Sequence, residues 1–407
     1  MKKFVCNAFF ITILIVIIIV STSSIFKSEN KKWVTTWGTA TQLVEPHNMP
    51  PEPGLSGNTL RQIVRVSIGG NIIRLKFSNE FGDEKLEMNS VKIAISKGNG
   101  IIDKKTIKEI KFDGKKSVVV EAGKYIISDP VKFSFAPRTD IAITIYFGHV
   151  PVKLTGHPGS RTTSYIAKGN KVNDENFIKS VKIDRWYIIN SIDVIASEKS
   201  FALVTLGNSI TDGRGSGTNK QNRWPDILSE RLLNNITTQH VAVINMGIGG
   251  NCVLRNCLGP AAIDRFERDV LQQSGVKWLI ILEGVNDIGQ TQDSIEANKV
   301  VNDLIEAYKL MIKKSHENNI KVYGATILPF GNSHYYKNFR EIARQKVNDW
   351  IRNSNEFDAV IDFDKIMQNP ENPIELLPDL HTGDYLHPNE KGYKVMGEAI
   401  DLKLFEN

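Results

Sequence analysis

The chain has 407 residues, enough for two ordinary domains, and its 41% apolar and 24% charged content marks it as globular and excludes a disordered chain. The net charge is +6, with lysines scattered rather than clustered, which argues for solubility and against a nucleic-acid partner. The three cysteines, Cys6, Cys252 and Cys257, show no zinc-type spacing with histidine.

Lys2 and Lys3 precede an apolar run over 4–20 that is broken only by Asn7 and Thr12. The run is longer than a typical secretory h-region and slightly short for a full span. Residues 1–30 therefore read as a signal peptide or a retained membrane anchor with its linker. Either one sends the rest of the chain outside the cytoplasm, and any membrane contact would be through that anchor alone. Cys6 lies ahead of most of the run rather than after it, which argues against a lipoprotein.

Residues 31–198 read as β. Apolar runs over 60–68 and 72–77 flank Gly69-Gly70-Asn71, the pattern of a hairpin. Further strands are expected at 92–96, 117–121, 131–135, 141–147 and 186–195. Short strands between Gly, Pro and Asp turns predict an all-β sandwich or jelly-roll-like accessory domain. The period changes over 199–407. Strands at 201–206, 241–245, 278–282, 321–327 and 359–363 alternate with helices near 224–233, 261–272, 294–318, 339–353 and 390–404. That alternation predicts a flavodoxin-like α/β/α sandwich with a five-stranded parallel sheet. Ligands gather at the carboxyl ends of such strands. Ser209, Gly249-Gly250 and Asn286 all fall just past expected strand ends.

Ser209, Asp384 and His387 together supply a hydroxyl, a carboxylate and an imidazole, the roles of an acyl-transfer triad. Each also has a plain reading: Ser209 and Asn286-Asp287 as helix caps, Asp384 as a turn cap, His387 as a surface histidine. Asp379 and His381 form a competing dyad in the same loop. His157, in Gly156-His157-Pro158-Gly159, is a candidate to reach over the site from the β domain, against the plain reading of a loop histidine. Trp224 is a candidate pocket wall or a core aromatic. Cys252 and Cys257 are five apart. Two buried thiols is the plainer reading, and a disulfide stays open to them outside the cell.

Taken together, four segments resemble the blocks of the GDSL, or SGNH, hydrolase family. They are Gly207-Asn208-Ser209-Ile210, Asn245 to Asn251, Gly284-Val285-Asn286-Asp287, and Asp384 to His387. Trp33-Val34-Thr35-Thr36-Trp37 and Arg223-Trp224-Pro225-Asp226 resemble its secreted two-domain branch, in which a β domain precedes the hydrolase domain. The resemblance implies Ser209 as nucleophile, His387 as general base and acid, and Asp384 as its orienting carboxylate. It also implies an oxyanion hole from the Ser209 and Gly250 N–H groups and the Asn286 amide, with no metal or organic cofactor. Asn208 departs from the family's usual Asp. The expected activity is that of an extracytoplasmic serine esterase acting on acyl, especially acetyl, esters of carbohydrates. The alternatives are a short-chain lipid or carboxylester hydrolase and, in another class, a non-catalytic glycan-binding surface protein.

Overall fold

The computed structural model describes residues 31–406. The signal-or-anchor segment 1–30 lies outside the described residues. Among the described residues, no helix is long and apolar enough to cross a membrane.

The first half of the described chain is built from antiparallel sheets. One sheet runs in the order Lys31–Gly38, Ile189–Ser197, Gly70–Ser78, Val131–Phe135, with Tyr125–Ile127 also on Gly70–Ser78. A larger sheet centres on Thr59–Arg65, Asp140–Phe147 and Leu86–Gly98. Leu60 and Val64 of the larger sheet and Ile73, Leu75 and Phe77 of the other are buried in one apolar cluster. Gly70–Ser78 alternates buried and more exposed residues, whereas Thr59–Arg65 and Asp140–Phe147 are buried along nearly their whole length, and the two sheets close on each other as a sandwich. A third, short sheet joins Gln42–Leu43, Thr155–His157 and Trp186–Tyr187.

The hairpin expected at Gly69-Gly70-Asn71 does not form. Thr59–Arg65 pairs with Asp140–Phe147 and Ser164–Ala167, whereas Gly70–Ser78 pairs in the other sheet. The segment between them crosses the sandwich. Thr36 decides this: its hydroxyl donates to the Ile68 carbonyl at 2.7 Å and accepts from the Ile68 N–H at 3.0 Å. Its own carbonyl accepts from the Ser67 N–H at 2.9 Å. The strand expected over 186–195 is likewise split, with Ile188 at φ 68° between Trp186–Tyr187 and Ile189–Ser197.

The second half is the expected parallel sheet, in the order Val241–Gly247, Phe201–Gly207, Val276–Leu282, Lys321–Ala325, Ala359–Ile361. Its strands are apolar along nearly their whole length because helices cover both faces. The order reverses between Val241–Gly247 and Val276–Leu282, on either side of Phe201–Gly207, which places that strand at the switch point. The strand Lys31–Gly38 packs against Val241–Gly247, and the apolar cluster runs without a break from the β sandwich into Ile244, Met246 and Phe266. Thr35 adds polar ties. Its N–H donates to Ser274 O at 2.9 Å, and its hydroxyl donates to Asp193 at 2.8 Å.

Thr36→Val removes both side-chain bonds at the sandwich crossing while keeping the volume. The expected cost is about 1–3 kcal/mol, because two buried backbone groups lose their partner. Urea unfolding checks it, and an unchanged midpoint would contradict the role given to Thr36.

Candidate active site

Ser209 stands at the end of the switch-point strand Phe201–Gly207 and opens the short helix Ser209–Asp212. Asn208 is the cap, its side-chain oxygen accepting from Ile210 N–H at 3.1 Å. The turn tightens behind the serine, whose carbonyl accepts from the N–H groups of both Gly213 and Arg214 at 2.9 Å. His387 comes from the loop before the last long helix, Glu390–Ala399, which Asn389 caps by accepting from Gly392 N–H. Tyr393 on that helix donates to Arg214 O at 2.6 Å, tying the serine turn to the histidine loop.

The outcome is a hydrogen-bonded chain. Ser209 Oγ lies 2.9 Å from His387 Nε2, and His387 Nδ1 lies 2.7 Å from Asp384 Oδ2. Asp384 Oδ1 also accepts from the N–H groups of Leu386 and His387 at 3.0 and 2.9 Å. Burial pushes the Asp384 carboxyl up, but these donors and the His387 ring outweigh it and hold the group below its ordinary value. Burial also lowers the His387 imidazole. Asp384 opposes that shift, and the neighbouring Arg214 and His334 add to it, so the ring loses its proton below the ordinary histidine range. With Asp384 accepting at Nδ1, the neutral tautomer presents a lone pair at Nε2 to the serine hydroxyl.

Asn286 follows the strand Val276–Leu282. One of its amide N–H groups is committed to Asn251 O at 2.7 Å, and an amide carries two. The Asn251 carbonyl can only accept, which fixes the donor end of the amide, and the oxygen at the other end accepts from the Tyr335 hydroxyl at 2.9 Å. Asp287 accepts from Val253 and Leu254 N–H, at 2.9 and 3.1 Å, and so joins the Asn286 turn to the loop carrying Gly250. Arg265 lies beneath this floor, fully buried. It donates to Met246 O, Gly207 O and Asn251 Oδ1 and pairs with Asp269 at 3.0 Å.

Residues 205–395 match the model of the GDSL-like Lipase/Acylhydrolase family. The C-terminal half of the chain belongs to that family. It is a serine ester hydrolase. Solved structures similar to it include an acetyl xylan esterase at 23% identity, with 49% of this chain and 97% of that chain covered and a TM-score of 0.37. An acetylxylan esterase from Geobacillus stearothermophilus is 18% identical, over 50% and 94%, with a TM-score of 0.38. A member of the lipolytic protein G-D-S-L family from Veillonella parvula DSM 2008 is 21% identical, over 49% and 96%, with a TM-score of 0.35. No curated protein matches the chain.

Other candidates move in this hydrolase. Trp224 is fully buried and packs edge-on against Phe363, 5.6 Å between ring centroids, so it is a core aromatic and not a pocket wall. His157 is buried, with both ring nitrogens already bonded, to Ala40 O and Asp212 Oδ1, so it offers neither to a substrate. The Asp379–His381 alternative gives way to another arrangement: His381 Nδ1 accepts from Gly383 N–H at 3.0 Å and the ring lies on Tyr385. Cys252 and Cys257 are disulfide-bonded, which corrects the reading of two free thiols. Tyr335 and Arg265 were not singled out from sequence. Tyr335 sits in a loop past the fourth strand, where an aromatic pair at a strand's carboxyl end was the only signal.

Asn208 has a physical explanation. Its Nδ2 donates to Glu283 Oε2 at 3.3 Å. Glu283 is fully enclosed, and Arg265 reaches only to 3.5 Å of its other oxygen while serving Asp269 and Asn251. Burial therefore pushes the Glu283 carboxyl up to about 8, with Arg265 opposing and Asp287 adding to the shift. An Asp at 208 would face this carboxyl with no N–H to give. The unfolded chain releases the Glu283 proton near its ordinary 4.5, and the folded chain holds it up to about 8. In that window the native state binds more protons, so stability falls as pH rises. Glu283→Gln is expected to flatten the decline in urea midpoint between about pH 5 and about pH 8. Asn208→Asp is expected to lower the midpoint, and adding Glu283→Gln to restore it. An unchanged slope in Glu283→Gln would contradict the assignment.

Proposed function

We propose that the protein is an exported esterase that removes acyl groups, acetyl above all, from carbohydrates by way of an acyl-enzyme on Ser209. The observation that carries the chemistry is the unbroken chain from Ser209 Oγ through His387 to Asp384 at 2.9 and 2.7 Å. His387 Nε2 takes the serine proton as Oγ attacks the ester carbonyl. The carbonyl oxygen, now an oxyanion, meets the Ser209 N–H, the Gly250 N–H and the free N–H of Asn286. Ser209 opens a helix, so its N–H lacks an intrahelical acceptor. Each such donor contributes about 3–4 kcal/mol to the transition state. Collapse expels the alcohol with the proton held on His387. A water then repeats the sequence and releases the acid.

Export is supported by the Lys2-Lys3 and apolar pattern of 4–20 and by the Cys252–Cys257 bond, which belongs to an oxidising compartment. A carbohydrate ester fits an extracytoplasmic enzyme with an appended β domain. The partners implied are a small ester or an acylated polysaccharide.

Ser209→Ala is expected to abolish release of p-nitrophenol from its acetate ester and of acetate from acetylated xylan, pectin or chitin fragments, with the fold intact by circular dichroism. Cleavage of short-chain lipid esters but no glycan ester would replace the carbohydrate assignment, and binding of glycans with no ester cleaved would replace the enzyme by a lectin-like protein. The pH profile gives a second check. His387 must be neutral to act, so the acid limb of kcat/KM lies below the ordinary histidine value of 6.5. Arg214→Ala removes a cation that disfavours the imidazolium, so the limb is expected to move to higher pH. A shift to lower pH, or none, would contradict the placement of that charge.

A further inference from the structure

Resting on Ser209 as the nucleophile, we propose that the β domain positions it: His157, acting through Asp212, holds the turn that presents the serine hydroxyl. Both are positioning residues and touch no reacting atom. Asp212 is the last residue of the helix that Ser209 begins, and its N–H donates to Asn208 O at 2.9 Å. Its carboxylate is 2% exposed and looks across to the β domain. There His157 Nε2 meets Asp212 Oδ1 at 2.9 Å. The other ring nitrogen, Nδ1, lies 2.8 Å from the Ala40 carbonyl, which can only accept. Nδ1 is therefore the donor to Ala40, and Nε2 faces the carboxylate. Arg161, 3.6 Å from Asp212 Oδ2, adds a positive charge from the same β-domain segment.

The contact is moulded on both sides. A Cβ on Gly159 would stand 2.0 Å from Asp212 Oδ2, and one on Gly247 would stand 2.3 Å from Asp212 N. Glycine at these positions lets the 157–161 segment and the neighbouring strand close on Asp212. Behind His157, the Trp186 ring lies 5.8 Å away, and Trp37 meets Trp186 edge-on at 5.0 Å. Trp186 Nε1 donates to Ile63 O at 3.0 Å, which anchors the stack in the larger sheet. The strand carrying Trp37 is the one that packs on the hydrolase sheet. Burying a carboxylate and an imidazole at a domain boundary is costly unless they are paired. Here the pairing falls three residues from the nucleophile. A small rotation of this four-residue turn would carry Ser209 Oγ off His387 Nε2, and misplacement on the order of 1 Å costs up to about 100-fold in rate.

The test uses the full chain and three variants, His157→Ala, His157→Gln and Thr36→Val. Each is assayed on p-nitrophenyl acetate well below its own unfolding midpoint, and Ser209 labelling by a fluorophosphonate is timed. His157→Ala is expected to lower kcat and the labelling rate about tenfold or more, with KM nearly unchanged, since only the nucleophile's placement is affected. His157→Gln keeps an N–H donor that reaches Asp212 and is expected to recover most of the loss. Thr36→Val loses its bonds to Ile68 and is expected to lower the midpoint without lowering kcat. Wild-type kcat and labelling in His157→Ala would overturn the inference, as would losses that simply follow stability across all three variants. If the wild-type chain neither hydrolyses esters nor reacts at Ser209, the assignment of the nucleophile fails, and the positioning role fails with it. An active wild type with an unaffected His157→Ala removes the positioning role alone.

Discussion

One contact, 2.9 Å between the Ser209 hydroxyl and the His387 imidazole, makes demands on nearly the whole second half of the chain. The two residues are 178 positions apart. The serine needs the switch-point strand to end where it does, and the histidine needs the last helix to return across the sheet. Neither element supplies that geometry alone. The Tyr393–Arg214 bond closes the loop between them, and the Asn389 cap sets the helix start that follows His387. Chemistry at the serine is thus a consequence of topology, held by a few bonds whose partners lie far apart in sequence.

Beneath the reactive groups lies an unusual concentration of buried charge. Arg265, Asp269, Glu283 and Asp287 are all enclosed, and two of them, Arg265 and Asp287, bind backbone segments that carry site residues. Arg265 gathers the carbonyls of Gly207 and Met246, and Asp287 gathers the amides of Val253 and Leu254. Preorganised donors stabilise an oxyanion only if they stay put during the reaction, so this scaffold is tied to the rate as well as to stability. The Asn208–Glu283 contact fits the same logic. The side chain beside the serine gives the Glu283 carboxyl an N–H donor, which a carboxylate in its place would lack.

The sequence disclosed what depends on local pattern. Alternating strands, the change of period near residue 200, the helix Trp224–Leu233 with proline in its first turn, and the four family blocks could all be read directly. What depends on distant partners could not. The crossing at Gly69 looked like a hairpin because nothing local reveals that Thr36 holds Ile68 from another strand. His157 and Trp224 looked like pocket residues, and their burial is decided by elements far along the chain. Tyr335 carries no motif, yet it orients the Asn286 amide. The cysteine pair was legible as a possibility, and only the fold of the 252–257 loop brings the sulfurs together.

The β sandwich shares its apolar core with the hydrolase and sends a histidine to the base of the nucleophile's turn. Its role is therefore mechanical as well as any it has toward a glycan. The covalent step is the centre of all this, and acid-quench mass spectrometry during turnover of a slowly hydrolysed ester reads it directly. The expected spectrum shows one acyl adduct, mapped by fragmentation to Ser209 and lost on longer incubation. An acyl group mapped to any other residue, or ester cleavage with no adduct under conditions where deacylation is slow, would contradict it.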